Sequence, residues 1–197
     1  MKFLENSNQT MIAGFVLTAV LAVGWLAASG VEPTHDSWIE QVVRWVHYLA
    51  GITWIGLLYF FNLINAGFLK SLDASQKGVV VPRLMPVALN WFRHGATVTV
   101  LAGIALIVMV HPSLSGTGDK AAWLGGLLGL IMMGNVHGII WPNQKKIIAA
   151  TAESAASGKP TPPEMADWAK KALYASRINF LLSIPMLFFM GAASHLK

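Results

Sequence analysis

The stretch Trp45 to Asn65, WVHYLAGITWIGLLYFFNLIN, is apolar and uncharged, and it carries a histidine, His47, near its start. As a helix at about 1.5 Å per residue it extends about 31 Å, the thickness of a bilayer's hydrocarbon core. That length, with no charge in it, predicts a membrane span. An ionisable side chain inside a span is costly and marks a functional site by default. On a helix Gly51 follows His47 by one turn, and Trp54 and Leu58 continue the same face. Two readings fit this pattern. In one, the bare surface of Gly51 beside the imidazole receives a flat ligand such as a porphyrin. In the other, His47 bonds a neighbouring helix and Gly51 only permits close packing.

The rest of the chain has the same character. It has 197 residues, of which 55% are hydrophobic and 12% charged; soluble domains carry about 25% charged residues. The expected fold is all-α, an integral membrane bundle of five transmembrane helices in a single domain over residues 1–197. The spans run roughly from Thr10 to Ala28, Val42 to Ala66, Val87 to Val110, Ala121 to Trp141 and Ser176 to Ser194. Pro82 and Pro86 lead into the third, Pro142 stops the fourth and Pro185 kinks the fifth. The first apolar run, Met11 to Val31, is too long for a signal-peptide core and reads as a retained helix. The absence of cysteine excludes disulfides, iron–sulfur ligation, cysteine–zinc sites and covalent c-type haem attachment.

The formal net charge of +5 is concentrated in two loops, a pattern of membrane topology and not of a nucleic-acid surface. One loop holds Lys70, Lys77 and Arg83; the other holds Lys145, Lys146, Lys159, Lys170, Lys171 and Arg177. The remaining two, with Glu32, Asp36, Glu40 and Arg44 in one and Asp119 and Lys120 in the other, are poor in Lys and Arg. The positive-inside rule puts the basic loops and the N-terminus in the cytoplasm and the C-terminus outside. In the long inner loop, Ala149 to Lys171, Pro163-Glu164 either starts a short interfacial helix with Trp168 towards lipid or belongs to a solvated linker.

This arrangement sorts the six histidines by depth. His94 and His137 fall towards the inner ends of the third and fourth spans, where two antiparallel neighbours can present two imidazoles at one level. On the outer side His47 can pair with His111 or His195. Either pair suits haem b, and imidazole also binds zinc or copper. No close HxH or HxxxH pair is present, and small residues (Gly51, Gly134, Gly138) beside large aromatics suit a macrocycle better than a compact ion. The alternative for His94 and His137 is interfacial bonding to headgroups or loop carbonyls. Arg93 and Arg177 flank inner helix ends, placed for haem propionates or an anionic substrate, or for snorkelling to phospholipid. Trp54 is the tryptophan away from the interfaces, and the one to connect with a site.

Four strings, WVHYLAGITWIGLLYFFNLIN, NWFRHGA, NVHGIIWPNQKKII and SRINFLLSIPMLFFMGAASH, resemble the membrane domain of bacterial membrane-bound urate oxidases (urate hydroxylases), from about Arg44 onwards. In that family the membrane region is followed by a c-type cytochrome domain, which this cysteine-free chain, ending at Lys197, lacks. The resemblance therefore implies a stand-alone relative of the membrane region. A shorter likeness, His47 followed by Trp54, Gly56 and Tyr59, resembles the first helix of the haem-binding bacterial protoporphyrinogen oxidase family. It implies haem b with His47 as a ligand.

Together these features set the expected function: a haem b protein of the bacterial inner membrane moving electrons between quinone or a cytochrome c and other membrane subunits. Its candidate cofactor site is His47, Gly51, Trp54, His94, His137 and Arg93, with His47, His94 and His137 as metal ligands. The alternatives are a cofactor-free accessory subunit, and a urate oxidase membrane subunit completed by a separate cytochrome c. The charge asymmetry makes a direct prediction: reporter fusions at Lys77 and Lys159 will both report the cytoplasm, and a periplasmic signal at Lys159 overturns the orientation.

Overall fold

The structure is a computed structural model describing residues 2–30 and 34–195. Val31 and Glu32, assigned above to the end of the first run and the first outer loop, and Lys197 lie outside the described residues. The chain divides into two compact units, residues 1–39 and 40–197.

The first unit holds a short 3₁₀ turn, Lys2–Glu5, and helix α1, Ser7–Ser29. Asn6 caps α1 by accepting bonds from Asn8 N at 3.0 Å and Gln9 N at 3.2 Å, which satisfies two donors that the first turn leaves open. Gly30, at φ 64°, ends it in the left-handed conformation that glycine adopts without strain.

Helix α2, His35–Tyr59, enters the second unit at Glu40. It continues through a π-helical turn, Phe60–Asn65, into α3, Ala66–Ser71. Helix α4 spans Ala74–Val110. Helix α5, Thr117–Asn135, passes through a second π turn, Val136–Ile140, into α6, Trp141–Ser157. Helix α7, Met165–His195, completes the unit. No strand occurs among the described residues. Across both units five helical rods are long and apolar enough to cross a membrane. The chain is a multi-pass membrane protein.

The rods are much longer than the apolar runs. The 37 residues of α4 extend about 55 Å, well beyond a bilayer core of about 30 Å. Pro82 and Pro86 do not precede this helix; they lie inside it. Each removes one rung of the ladder, yet the helix persists because an Asp73–Gln76 capping box anchors its start and Val81, Met85 and Leu89 bury its inner face. Pro142 likewise fails to end the fourth rod. It sits in the first turn of α6, directly after the π turn, and α6 runs on to Ser157, where Gly158 at φ 69° closes it. In place of a separate interfacial helix at Pro163, α7 begins at Met165 and runs unbroken through Pro185, and Lys146 of α6 lies over the Trp168 ring at 5.5 Å. The basic residues read as loop residues are therefore largely on helical extensions. There Gly78 of α4 meets α6 so closely that a Cβ on it would lie 2.8 Å from the Ala155 Cβ.

The core of the unit is Trp54 and Leu58 from α2, Met85, Leu89, Phe92 and Ala96 from α4, Met132 and Val136 from α5 and its π turn, and Ala175 and Met186 from α7. Around both π turns the core turns polar. Asn179, fully buried, donates to Met132 O at 2.9 Å and accepts from Asn135 Nδ2 at 2.8 Å. Asn62 donates to Leu58 O at 2.8 Å and to Ser176 Oγ at 2.9 Å, and Ser183 Oγ lies 3.2 Å from the Tyr59 hydroxyl. These bonds tie α2 and α5 to α7 where no water competes for them. Replacing Asn179 with Ala strips both of its bonds and leaves Asn135 unpaired. It should destabilise the protein by roughly 1–2 kcal/mol in detergent unfolding, more than Asn143→Ala, whose side chain bonds only its own helix at Ile139 O.

Candidate functional site

His47 is fixed by α4. Its Nδ1 lies 2.8 Å from the backbone oxygen of Thr99. A carbonyl oxygen only accepts, so Nδ1 carries the proton and Nε2 presents a lone pair. The ring lies flat enough on α4 that a Cβ on Gly103 would come within 3.0 Å of His47 Cε1 and 3.3 Å of Nδ1. Gly103 is thus a seat for the imidazole. About two turns back towards the basic end, Gly95 does the same for the backbone: a Cβ there would lie 3.3 Å from Trp54 N and 3.4 Å from Ala50 O. The Thr99 hydroxyl turns back to Gly95 O at 2.6 Å, leaving its carbonyl side to His47.

Beside His47 opens a cavity of about 660 Å³ between α2, α4, α5 and α7, in the size range of pockets that enclose small organic ligands. Gly51, Trp54, Gly103, Trp123, Met186 and Met190 are among its lining residues, and nearly all of its wall is apolar. Several lining residues, Ile52, Val108 and Leu127 among them, are well exposed, so the cavity is open at the outer surface of the helices. A smaller chamber of about 70 Å³ adjoins it towards the end away from the basic extensions, sharing His47, Gly103 and Met190 and adding Arg44, His111 and Ser194. Arg44 pairs with Glu40, and His111 Nδ1 lies 2.9 Å from Asp119 Oδ1.

Of the six site residues expected from sequence, His47, Gly51 and Trp54 share this cavity. Trp54 is buried to 1% exposure, and its Nε1 has no hydrogen-bond partner. The other three form a separate cluster nearer the basic end. Arg93 lies over the Trp141 ring at 4.5 Å from its centroid, with Nη2 3.1 Å from His94 Nε2. His137 Nε2 lies 2.9 Å from the Thr97 hydroxyl. His94 and His137 are both exposed on the helix surface, their Nε2 atoms are taken by these partners, and neither lines the cavity at His47. Because α4 begins at Ala74, Arg93 and His94 lie well inside the helix and not at its start.

Thr99, Gly103, Met186 and Met190 escaped sequence reasoning. Gly103 had a signal, a glycine in the middle of a span, but nothing local links it to a histidine in another helix. The Thr99 contribution is a backbone atom and leaves no trace in the sequence.

Comparison with known proteins bears on the second half of the chain. The urate oxidase N-terminal family model matches residues 113–196, from the α4–α5 connection to the end of α7. The relationship to urate oxidases is confined to that match, which contributes Trp123, Met186 and Met190 to the cavity and leaves out His47, Thr99 and Gly103. No curated protein and no solved structure matches the chain. The likeness of α2 to the haem-binding protoporphyrinogen oxidases finds no support in these comparisons.

Filling the seat tests this geometry. Gly103→Val drives two methyl groups into the His47 ring and should cost about 1–3 kcal/mol by overpacking. Imidazole ¹⁵N shifts should show the Nδ1–H tautomer lost. Gly134→Val, where nothing lies within 4 Å of the added Cβ, is the control and should leave both unchanged.

Proposed function

We propose that this chain is a haem b-binding subunit that carries electrons within a larger complex of the bacterial inner membrane. The supporting observation is His47, the imidazole in an almost wholly apolar cavity, its Nδ1–H held by the Thr99 carbonyl and its ring seated on Gly103. A histidine that ligates a metal commonly donates its other N–H to a backbone carbonyl, which fixes the ring and the tautomer and raises the basicity of the ligating nitrogen. The residues present fit such a group. His47 would hold it through Nε2, and Gly51 and Trp54 would be among the residues that wall the slot. Haem b supplies a one-electron ferrous–ferric couple. The chain's part is to hold the ligating nitrogen deprotonated, exclude water with apolar side chains and tie α2 to α4 so that the site does not loosen between redox states. In this reading the inner-end cluster of Arg93, His94 and His137 is not the ligand set, because the Nε2 atoms of both histidines are engaged elsewhere and neither ring lines the cavity at His47.

The test is the visible spectrum of the full chain purified in mild detergent. A Soret band is expected, and His47→Ala should lose most of it, while His94→Ala, His137→Ala and His35→Ala, at the exposed start of α2, should keep it. A wild-type chain with no Soret band removes haem and leaves the cofactor-free accessory subunit. The match over residues 113–196 also supports a second reading, in which the chain is the membrane subunit of a urate oxidase completed by a separate cytochrome c. Urate-dependent reduction of cytochrome c by membranes containing the chain, absent without it, is the result that reading requires.

A further inference from the structure

We propose that Arg93, Trp141 and Lys145, at the seam of α4 and α6, form a binding site for the headgroup phosphate of an anionic phospholipid. The site stands independently of the haem b reading above, since none of the three lines the cavity at His47. Arg93 and Lys145 share one aromatic ring. The Arg93 guanidinium carbon lies 4.5 Å from the centroid of Trp141, and Lys145 Nζ lies 5.6 Å from it. The two cations therefore stand no further apart than those distances together. Like charges that near repel, yet no carboxylate compensates them. Among the described residues neither is in an ion pair, and Arg44, at the other end of the bundle, is the one Lys or Arg that is. The Asp73 carboxylate, at the basic end of α4, is taken up by the cap of that helix.

The guanidinium is held in place with donors left over. Arginine has five N–H groups and no acceptor. Nη2 of Arg93 lies 3.1 Å from His94 Nε2 and 3.4 Å from Asn90 Oδ1, which engages both of its hydrogens. Nε is buried without a partner, and nothing among the described residues bonds Nη1. Because a guanidinium only donates, His94 accepts at Nε2 and carries its own proton on Nδ1, at the exposed surface of α4. Thr97 fixes the seam, with its hydroxyl 3.1 Å from Arg93 O and 2.9 Å from His137 Nε2 in the second π turn. The cluster thus gathers donors and positive charge with no acceptor to satisfy them, a pattern complementary to an anion bearing several oxygens. The arginine fork matches phosphate in particular.

Depth identifies the source of that phosphate. About 26 Å of α4 separates Arg93 from Val110, close to a hydrocarbon core of about 30 Å, and Gly95 to Val110 carries no charge. With Val110 at one lipid surface, the cluster lies at the other, at the level of the headgroups. Trp91, well exposed one turn before Gly95, and Trp141 are the residue type that settles there. Basic pockets between spanning helices at this level bind anionic headgroups. A zwitterionic lipid brings a cation of its own and leaves the Arg93–Lys145 repulsion uncompensated.

The test is the phosphatidylglycerol retained per chain by the purified full chain in mild detergent. The wild type should hold one such lipid at least about fivefold more tightly than phosphatidylcholine. Arg93→Gln and Lys145→Gln should each weaken it by about fivefold, the effect of one cation near a lipid surface. Lys159→Gln and Lys171→Gln, which remove exposed cations at the same end, should each change it by less than about twofold. Excess inorganic phosphate, at matched ionic strength, should leave the lipid bound. Equal retention of the two lipids, or an unchanged affinity in Lys145→Gln, overturns the site. An equal loss in all four variants replaces it with diffuse attraction, and displacement by inorganic phosphate replaces the lipid with a soluble anion; either result overturns the proposal. Lys145 is exposed, so its variant keeps the decision should Arg93→Gln fail to fold.

Discussion

The close approach of α2 to α4 is the contact on which the site depends. In lipid there is no hydrophobic drive to press two helices together, since the tails are as apolar as the side chains, so association rests on packing and on hydrogen bonds between helices. Gly95 supplies the packing: a Cβ there would lie 3.3 Å from Trp54 N and 3.4 Å from Ala50 O of α2, tighter than ordinary van der Waals contact. Once the backbones are that near, the His47 ring can lie on Gly103 and reach a main-chain oxygen of α4. The same closeness buries Trp54 completely and sets one wall of the cavity. A wider spacing would return His47 to lipid, where an unpaired imidazole is costly.

A second set of glycines shapes the opposite side. Gly125 lets α7 close on α5 at Met190, and Gly126 stands so close to α4 that a Cβ on it would lie 2.7 Å from the Ile107 Cδ1. Gly129 has open space in front of it and lines the cavity. The cavity therefore exists because small residues hold the four rods close at some levels and leave room at others. Towards the basic end the room is gone, and the asparagine bonds around the two π turns hold the helices together. Interruptions of this kind inside long helices occur often at functional sites, and here they let side-chain amides reach main-chain oxygens such as Leu58 O and Ile139 O.

Much of this was legible in the sequence. Uncharged runs of about twenty residues can satisfy their backbone in lipid only as helices, so the number of spanning helices and the all-α class follow from length and composition. His47, Gly51 and Trp54 were legible as a group because helical spacing puts them on one face. The ends of the rods were not legible. Pro82, Pro86 and Pro142 are strong local breakers, but each forfeits only one rung of a helix whose inner face is buried against its neighbours, and packing outweighs that loss. Polar residues beyond the apolar runs read as loops for the same reason: composition reports where lipid ends, not where the helix ends.

The grouping of residues from different helices belongs to the tertiary structure alone. His94 and His137 match in depth along the sequence, yet depth fixes only one coordinate; rotation about each helix axis decides whether two imidazoles converge, and here they point to Arg93 and Thr97. His47 meets a carbonyl of α4 more than fifty residues away in the chain, a partner with no side-chain identity to recognise. By itself the sequence determined that the chain crosses a membrane as helices and which face of α2 is unusual, because those depend on local length, charge and periodicity. The opening of that face onto an apolar cavity, with Gly103 beneath the imidazole, was decided by the rotation and spacing of helices distant in sequence, which only close packing fixes.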